Sequence, residues 1–202
     1  MRNIDRTTEY AKLIIAGKKI CGKSEYLACK RHLDDMQRGK DFPYVFDAKI
    51  AERYIEIASN LTIAEGEEAN PLKLRGFQCF IIGSLFGWRK KRSNLRRFRE
   101  AYAQISRQNG KSILAAVLAL LESGFSGYRY GRILCAATKQ EQADIVYDEI
   151  VKLLAISIYR SATLTSKTYG KSLPRCISSR WRLQARYSLL PQIFFPATMS
   201  LA

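Results

Sequence analysis

After Glu149 the chain contains no Asp and no Glu. A carboxylate-based metal or catalytic centre built from its last quarter is therefore excluded. Its five cysteines (Cys21, Cys29, Cys79, Cys135, Cys176) never form a CxxC pair and are odd in number. That spacing argues against a zinc site or a disulfide framework and suits reduced thiols in a cytoplasm. The single histidine, His32, has no ligand partner at metal spacing and is expected to be structural. No stretch of 18 or more apolar residues occurs, so no membrane span is expected. The first residues, MRNIDRTTEYAK, lack the apolar run of a secretory signal, and the expected location is the cytoplasm of a host cell.

What is present is an ordinary globular composition, 47% hydrophobic and 26% charged, with a net charge of +16. Such an excess of Lys and Arg suits a partner rich in phosphate. Half of it comes from eight Lys and Arg beyond Glu149, unopposed by any acid. The segment 156–202 shows no sustained period, is rich in Ser, and reads as an irregular basic tail. Two origins fit it: a tail that grips DNA, or translation out of frame, which changes amino-acid usage this abruptly.

Helices are expected over 7–17, 24–39 and 47–61, within an α-helical N-terminal segment 1–70. On the second, Tyr26, Leu27, Leu33 and Met36 approximate the apolar face. On the third it is Ile50, Tyr54, Ile55 and Ala58. The stretch 64–71 reads as a polar loop, and a buried helix begins near Gln78. A basic run follows at 89–99, expected to be a solvated loop. Then AYAQIS (101–106) reads as a strand and SILAAVLALLESG (112–124) as a buried helix. GRILCAAT (131–138) reads as a second strand and 139–154 as an amphipathic helix. This order predicts an α/β fold with an incomplete parallel sheet of the P-loop NTPase type over 71–155.

Two segments could cradle a phosphate. GKKICGKS (17–24) matches the full pattern GxxxxGK[ST], but a helix rather than a strand leads into it, so an interhelical turn is expected. ISRQNGKS (105–112) lacks the first glycine, yet a strand is expected before it and a buried helix after it. A helix N-terminus there adds free N–H groups and its dipole to anion binding, and Asn109 and Gly110 tolerate positive φ. The acidic pair Asp148–Glu149 imitates a metal-binding strand end, but Ala143, Val146, Ile150 and Val151 place it on a helix.

Four segments together resemble the large terminase subunit of tailed phages and prophages, the ATP-driven motor and nuclease of DNA packaging. They are LACKRHLDDM (27–36), GFQCFIIGSLFGW (76–88), RRFREAYAQISRQNGKS (96–112) and ILCAATKQEQADIVYDEI (133–150). The family's phosphate loop has an Arg before its GK and no obligatory first glycine, as Arg107 and Ile105 stand here. The resemblance implies that Lys111 contacts the β and γ phosphates of ATP and that Ser112 helps hold Mg2+. Gly110, beside Asn109, lets the backbone approach the nucleotide. Arg107 stabilises charge near the γ phosphate, and Gln78 reads adenine. It implies as partners double-stranded DNA, a portal and a small terminase subunit, within an oligomeric motor. The expected function is the ATP-binding N-terminal part of such a motor, without the acidic pair or the nuclease domain. The alternatives are a small basic DNA-binding protein or an inactive prophage remnant.

Overall fold

The computed structural model describes residues 5–65, 68–126, 133–137 and 140–168. They fall into two compact units, one within 1–60 and 73–101 and the other within 61–72 and 102–202.

The first unit contains α1 (Arg6–Ile15), α2 (Lys23–Met36), β1 (Tyr44–Phe46), α3 (Ala48–Asn60), α4 (Gly76–Gly87) and β4 (Trp88–Lys90). Asp5 caps α1 by accepting from the Thr8 N–H at 3.0 Å, and Asp47 caps α3 by accepting from the Ile50 N–H. α4 is apolar on nearly every side, as the sequence predicts, and packs against α1 and α3. Close approach to α1 depends on Gly83, where an added Cβ would overlap the Thr7 side chain. On α3, Tyr54, Ile55 and Ala58 turn inward together with Ala51, while Ile50 is only partly buried. β1 and β4 pair antiparallel, Tyr44 opposite Lys90 and Phe46 opposite Trp88.

The inward face of α2 departs from the sequence reading. Leu27 is 52% exposed, and Tyr26 and Met36 also face solvent, whereas Cys29, His32 and Asp35 are buried. The reason is the partners these groups find. Trp88 Nε1–H donates to His32 Nδ1 at 3.0 Å, so His32 carries its proton on Nε2 and donates it to Thr8 Oγ1 at 3.1 Å. Thr8 then donates to Met36 Sδ. One imidazole thereby joins α1, α2 and β4, with Phe46, Phe80 and Trp88 edge-on around it. Burying the His32 ring is tolerated because both of its nitrogens are bonded.

The second unit contains β2 (Thr62–Glu65), β3 (Glu68–Pro71), α5 (Lys111–Phe125) and α6 (Gln140–Thr168). The expected loop at 64–71 is instead largely an antiparallel strand pair, Thr62 opposite Pro71. α5 is the buried helix foreseen, with Leu114, Val117, Leu118 and Leu121 inward, and it packs on α6, on which Ile150 and Leu153 are buried. α6 continues to Thr168, past Leu154 where the sequence loses its helical period. The remainder of the expected basic tail, from 169, lies outside the described residues.

The chain is helix-rich with small sheets, consistent with an α/β class, but the described residues contain only two antiparallel strand pairs. The expected parallel strands do not form at 101–106 or 133–137. Parallel strands need both faces covered. Tyr102 is 67% exposed and Leu134 44% exposed, so neither segment has that cover.

Two stability predictions follow from the first unit. Gly83→Ala should lower unfolding free energy by about 1–3 kcal/mol, as overpacking does, read by urea denaturation. Burial, the largest influence, pushes the His32 pKa down from 6.5 to about 4; Arg31 adds to this, and Asp5 and Asp35 oppose it. The unfolded chain therefore takes up a proton that the folded one refuses, and stability falls as pH drops from 6.5 to 4. The difference amounts to roughly 3 kcal/mol at pH 4. Wild-type protein should lose about that much more stability than His32→Gln between pH 7 and pH 4. Equal pH slopes for the two proteins would refute the assignment.

Candidate functional site

Residues 105–112 lie wholly in the second unit and open α5. Gly110 is the N-cap, in the left-handed region at φ 71° and ψ 29°, a conformation that favours glycine. Positive φ also occurs at Gln108 (62°), rather than at Asn109 as the sequence suggested. The reason lies in the Asn109 side chain, whose Nδ2 donates to Ser106 Oγ and to the Arg107 carbonyl and folds the loop on itself. Sequence reasoning therefore missed Ser106 and Gln108 as loop-shaping residues. The serine at the second position of the loop was a visible hydrogen-bonding signal.

Leu114 N–H donates to the Gly110 carbonyl at 2.9 Å, which starts the helical ladder. Residues 111–113 thus have N–H groups ahead of the ladder, and no side chain caps this end. An uncapped start on a 15-residue helix offers donors and a positive dipole end to an anion. Lys111 and Ser112 stand in its first turn, Lys111 exposed and Ser112 half-buried. Arg107 is exposed two positions before Asn109, and among the described residues neither it nor Lys111 is ion-paired. Arg107, Lys111 and Ser112 thus share one loop and helix start, a donor set that fits a polyphosphate.

The loop that carries the literal pattern is different. Residues 17–22 join α1 to α2, Gly17 has φ 68°, and Ile20 is fully exposed. This is the interhelical turn that the flanking sequence implied.

Gln78 belongs to the first unit. It is 5% exposed at the start of α4, and its Oε1 accepts from the Arg75 N–H at 2.8 Å. The amide thus serves as a helix-start cap, a role that the sequence reading did not foresee. Asp148 and Glu149 lie on α6, Asp148 exposed and Glu149 bonded to Lys152 at 3.2 Å, as a solvated helix face requires. No group of three or more His, Cys, Asp or Glu capable of holding a metal occurs among the described residues.

The basic run is not merely a solvated loop. Arg97 is inserted among Phe42, Tyr44, Trp88 and Phe98, its Cζ at 5.2, 4.8, 5.0 and 4.8 Å from the ring centres. Its Nη2 lies 2.7 Å from Oδ2 of the buried Asp35, and Arg96 sits over the Phe86 ring. The capping role of Gln78 predicts that Gln78→Ala costs about 1 kcal/mol of stability, measured by thermal unfolding.

Residues 76–176, half of the chain, match the family described as terminase large subunit, ATPase domain. The match spans both Gln78 and the 105–112 loop and continues beyond Leu154. No curated protein and no solved structure matches the chain. On the extent of that match, the chain belongs to the terminase large subunit ATPase family.

Proposed function

We propose that this chain is the ATP-binding part of a viral DNA-packaging motor and that residues 105–112 are its phosphate loop. The observation that carries this reading is the uncapped start of α5 behind the left-handed Gly110, with Lys111 and Ser112 in the first turn. Free N–H groups would receive phosphate oxygens, and the Lys111 ammonium would neutralise the β and γ groups. Arg107 would lie over charge that grows during cleavage. The Ser112 hydroxyl would share in holding Mg2+, whose contribution when bound is to neutralise the phosphates. For Gln78, the adenine contact enters this proposal on the family resemblance alone. DNA, portal and small-subunit partners in an oligomeric motor belong to the proposal in the same way.

Phosphoryl transfer also needs a carboxylate for the metal and another group to orient water. Asp148 and Glu149 point along a solvated helix face, and the sequence offers no acid after them. The expected activity of this chain is therefore nucleotide binding with negligible turnover.

The test is calorimetric titration of the full chain with ATP and Mg2+. Lys111→Ala should weaken binding about tenfold or more, since it removes a charge-assisted contact worth roughly 1.5–3 kcal/mol. Lys23→Ala, in the literal motif at 17–24, should leave binding unchanged. Equal affinity for wild type and Lys111→Ala would refute the assignment of the loop. Steady ATP hydrolysis that Lys111→Ala abolishes would refute the expectation of negligible turnover.

A further inference from the structure

Asparagine stands at Asn3, Asn60, Asn70, Asn94 and Asn109, and only Asn109 is followed by glycine. The others precede Ile4, Leu61, Pro71 and Leu95. An asparagine side chain is open to attack at Cγ by the backbone nitrogen of the next residue. A side chain on that residue hinders the approach, and a proline has no N–H to give up. Gly110 removes the hindrance. Its place in the fold favours the same attack. It stands at φ 71° at the start of α5, and its N–H has no partner among the described residues. That nitrogen must shed its proton to attack, and the negative charge then builds where the α5 dipole is positive. Arg107 and Lys111 flank it, exposed and outside the ion pairs of the described residues. What suits a phosphate oxygen here therefore also suits an amide anion. One contact opposes the reaction. Asn109 Nδ2 is held by Ser106 Oγ and the Arg107 carbonyl, and it must leave both before Cγ can turn to Gly110. Both bonds are exposed, so water replaces them at small cost.

We propose that Asn109–Gly110 is a self-modification site, whose reaction converts the loop into a form that no longer holds a polyphosphate. The Gly110 nitrogen bonds to Asn109 Cγ and the Cγ–Nδ2 bond breaks. The proton lost from Gly110 leaves on the departing Nδ2 as ammonia, and a cyclic imide remains. Water then opens the imide at either carbonyl, which gives aspartate, or isoaspartate with one more carbon in the main chain. Both products place a carboxylate at the curl of the loop, where it repels phosphate. Neither can donate to the Arg107 carbonyl as Nδ2 does. The isoaspartyl form also lengthens the backbone just ahead of the left-handed Gly110. The reaction follows from the loop itself, while its effect on nucleotide rests on the phosphate-loop reading above.

The experiment incubates the full chain in mildly alkaline, phosphate-free buffer and samples it over days. Peptide mass mapping reads amide loss at each asparagine, and an isoaspartyl methyltransferase with a labelled methyl donor reads the isoaspartyl product. Asn109 should convert about tenfold faster or more than Asn94, which is also exposed and at positive φ (52°) but precedes Leu95. Saturating ATP with Mg2+ should slow conversion at Asn109 and leave Asn94 unaffected. Ser106→Ala should speed conversion about fivefold in the folded chain and leave the rate in urea unchanged. The fraction of chains that bind ATP, read by calorimetry, should fall as conversion proceeds. Asn109→Gln, whose longer side chain cyclises more slowly, should keep after incubation the ATP affinity that it has when fresh. Conversion in urea with Asn109 intact in the folded chain would overturn the proposal, as would Ser106→Ala without effect on the folded chain. Full ATP binding by converted protein would overturn the inactivating role. Equal ATP affinity in fresh wild type and Lys111→Ala would count instead against the phosphate-loop reading, whatever the fate of Asn109.

Discussion

The first unit depends on a buried imidazole that must stay neutral. His32 accepts from Trp88 and donates to Thr8, and each bond fixes the tautomer that the other needs. A second proton on Nδ1 would point at the Trp88 N–H, in surroundings that burial already makes hostile to charge. Because the ring reaches three elements, its neutrality sets where α1 and β4 meet α2. β4 in turn pairs with β1, so Pro43 and the following strand are positioned by the same contact.

One helical turn along α2, Asp35 makes a charged version of the same choice. A buried carboxylate is costly unless paired, and Arg97 and Arg38 both reach it, at 2.7 and 3.1 Å. Arg97 is then enclosed by four rings that β1, β4 and their neighbouring loops supply. The helix thus governs the segment 88–99 through two polar contacts, and the outward cations of that segment inherit its rigidity. Arg97 is the residue at which packing and surface charge become one problem.

The sequence displayed the helices well because their apolar periods and caps are local. The ranges 47–61 and 112–124 differ from the observed helices by a residue at either end. The inward face of α2 was hidden because its reward is nonlocal: His32 and Asp35 look like surface residues until Trp88 and Arg97 arrive from more than 50 residues away. β1 and β4 are three residues each, too short to show alternation. The hairpin at 62–71 was hidden because its composition is that of a polar loop. At 105–112 the local signal, Gly110 before a buried helix, located the left-handed cap. It could not show which neighbour takes the second positive φ, because that depends on the bond from Asn109 to Ser106.

The two loops with a terminal Gly-Lys-Ser show why pattern and chemistry part company. Both precede a helix, and both contain a glycine at positive φ, Gly17 in one and Gly110 in the other. In the first, the left-handed glycine lies six residues before α2, and Gly22 at the cap is extended at ψ 160°. Its backbone is therefore used to turn one helix into the next. In the second, the left-handed residue is itself the cap, so the chain curls directly where the first free N–H groups of α5 begin. An anion responds to that coincidence of curl, free donors and dipole, which a spacing of glycines does not encode. The proposal for 105–112 rests on that coincidence, and Ile105, where the literal pattern has its first glycine, stands ahead of the curl.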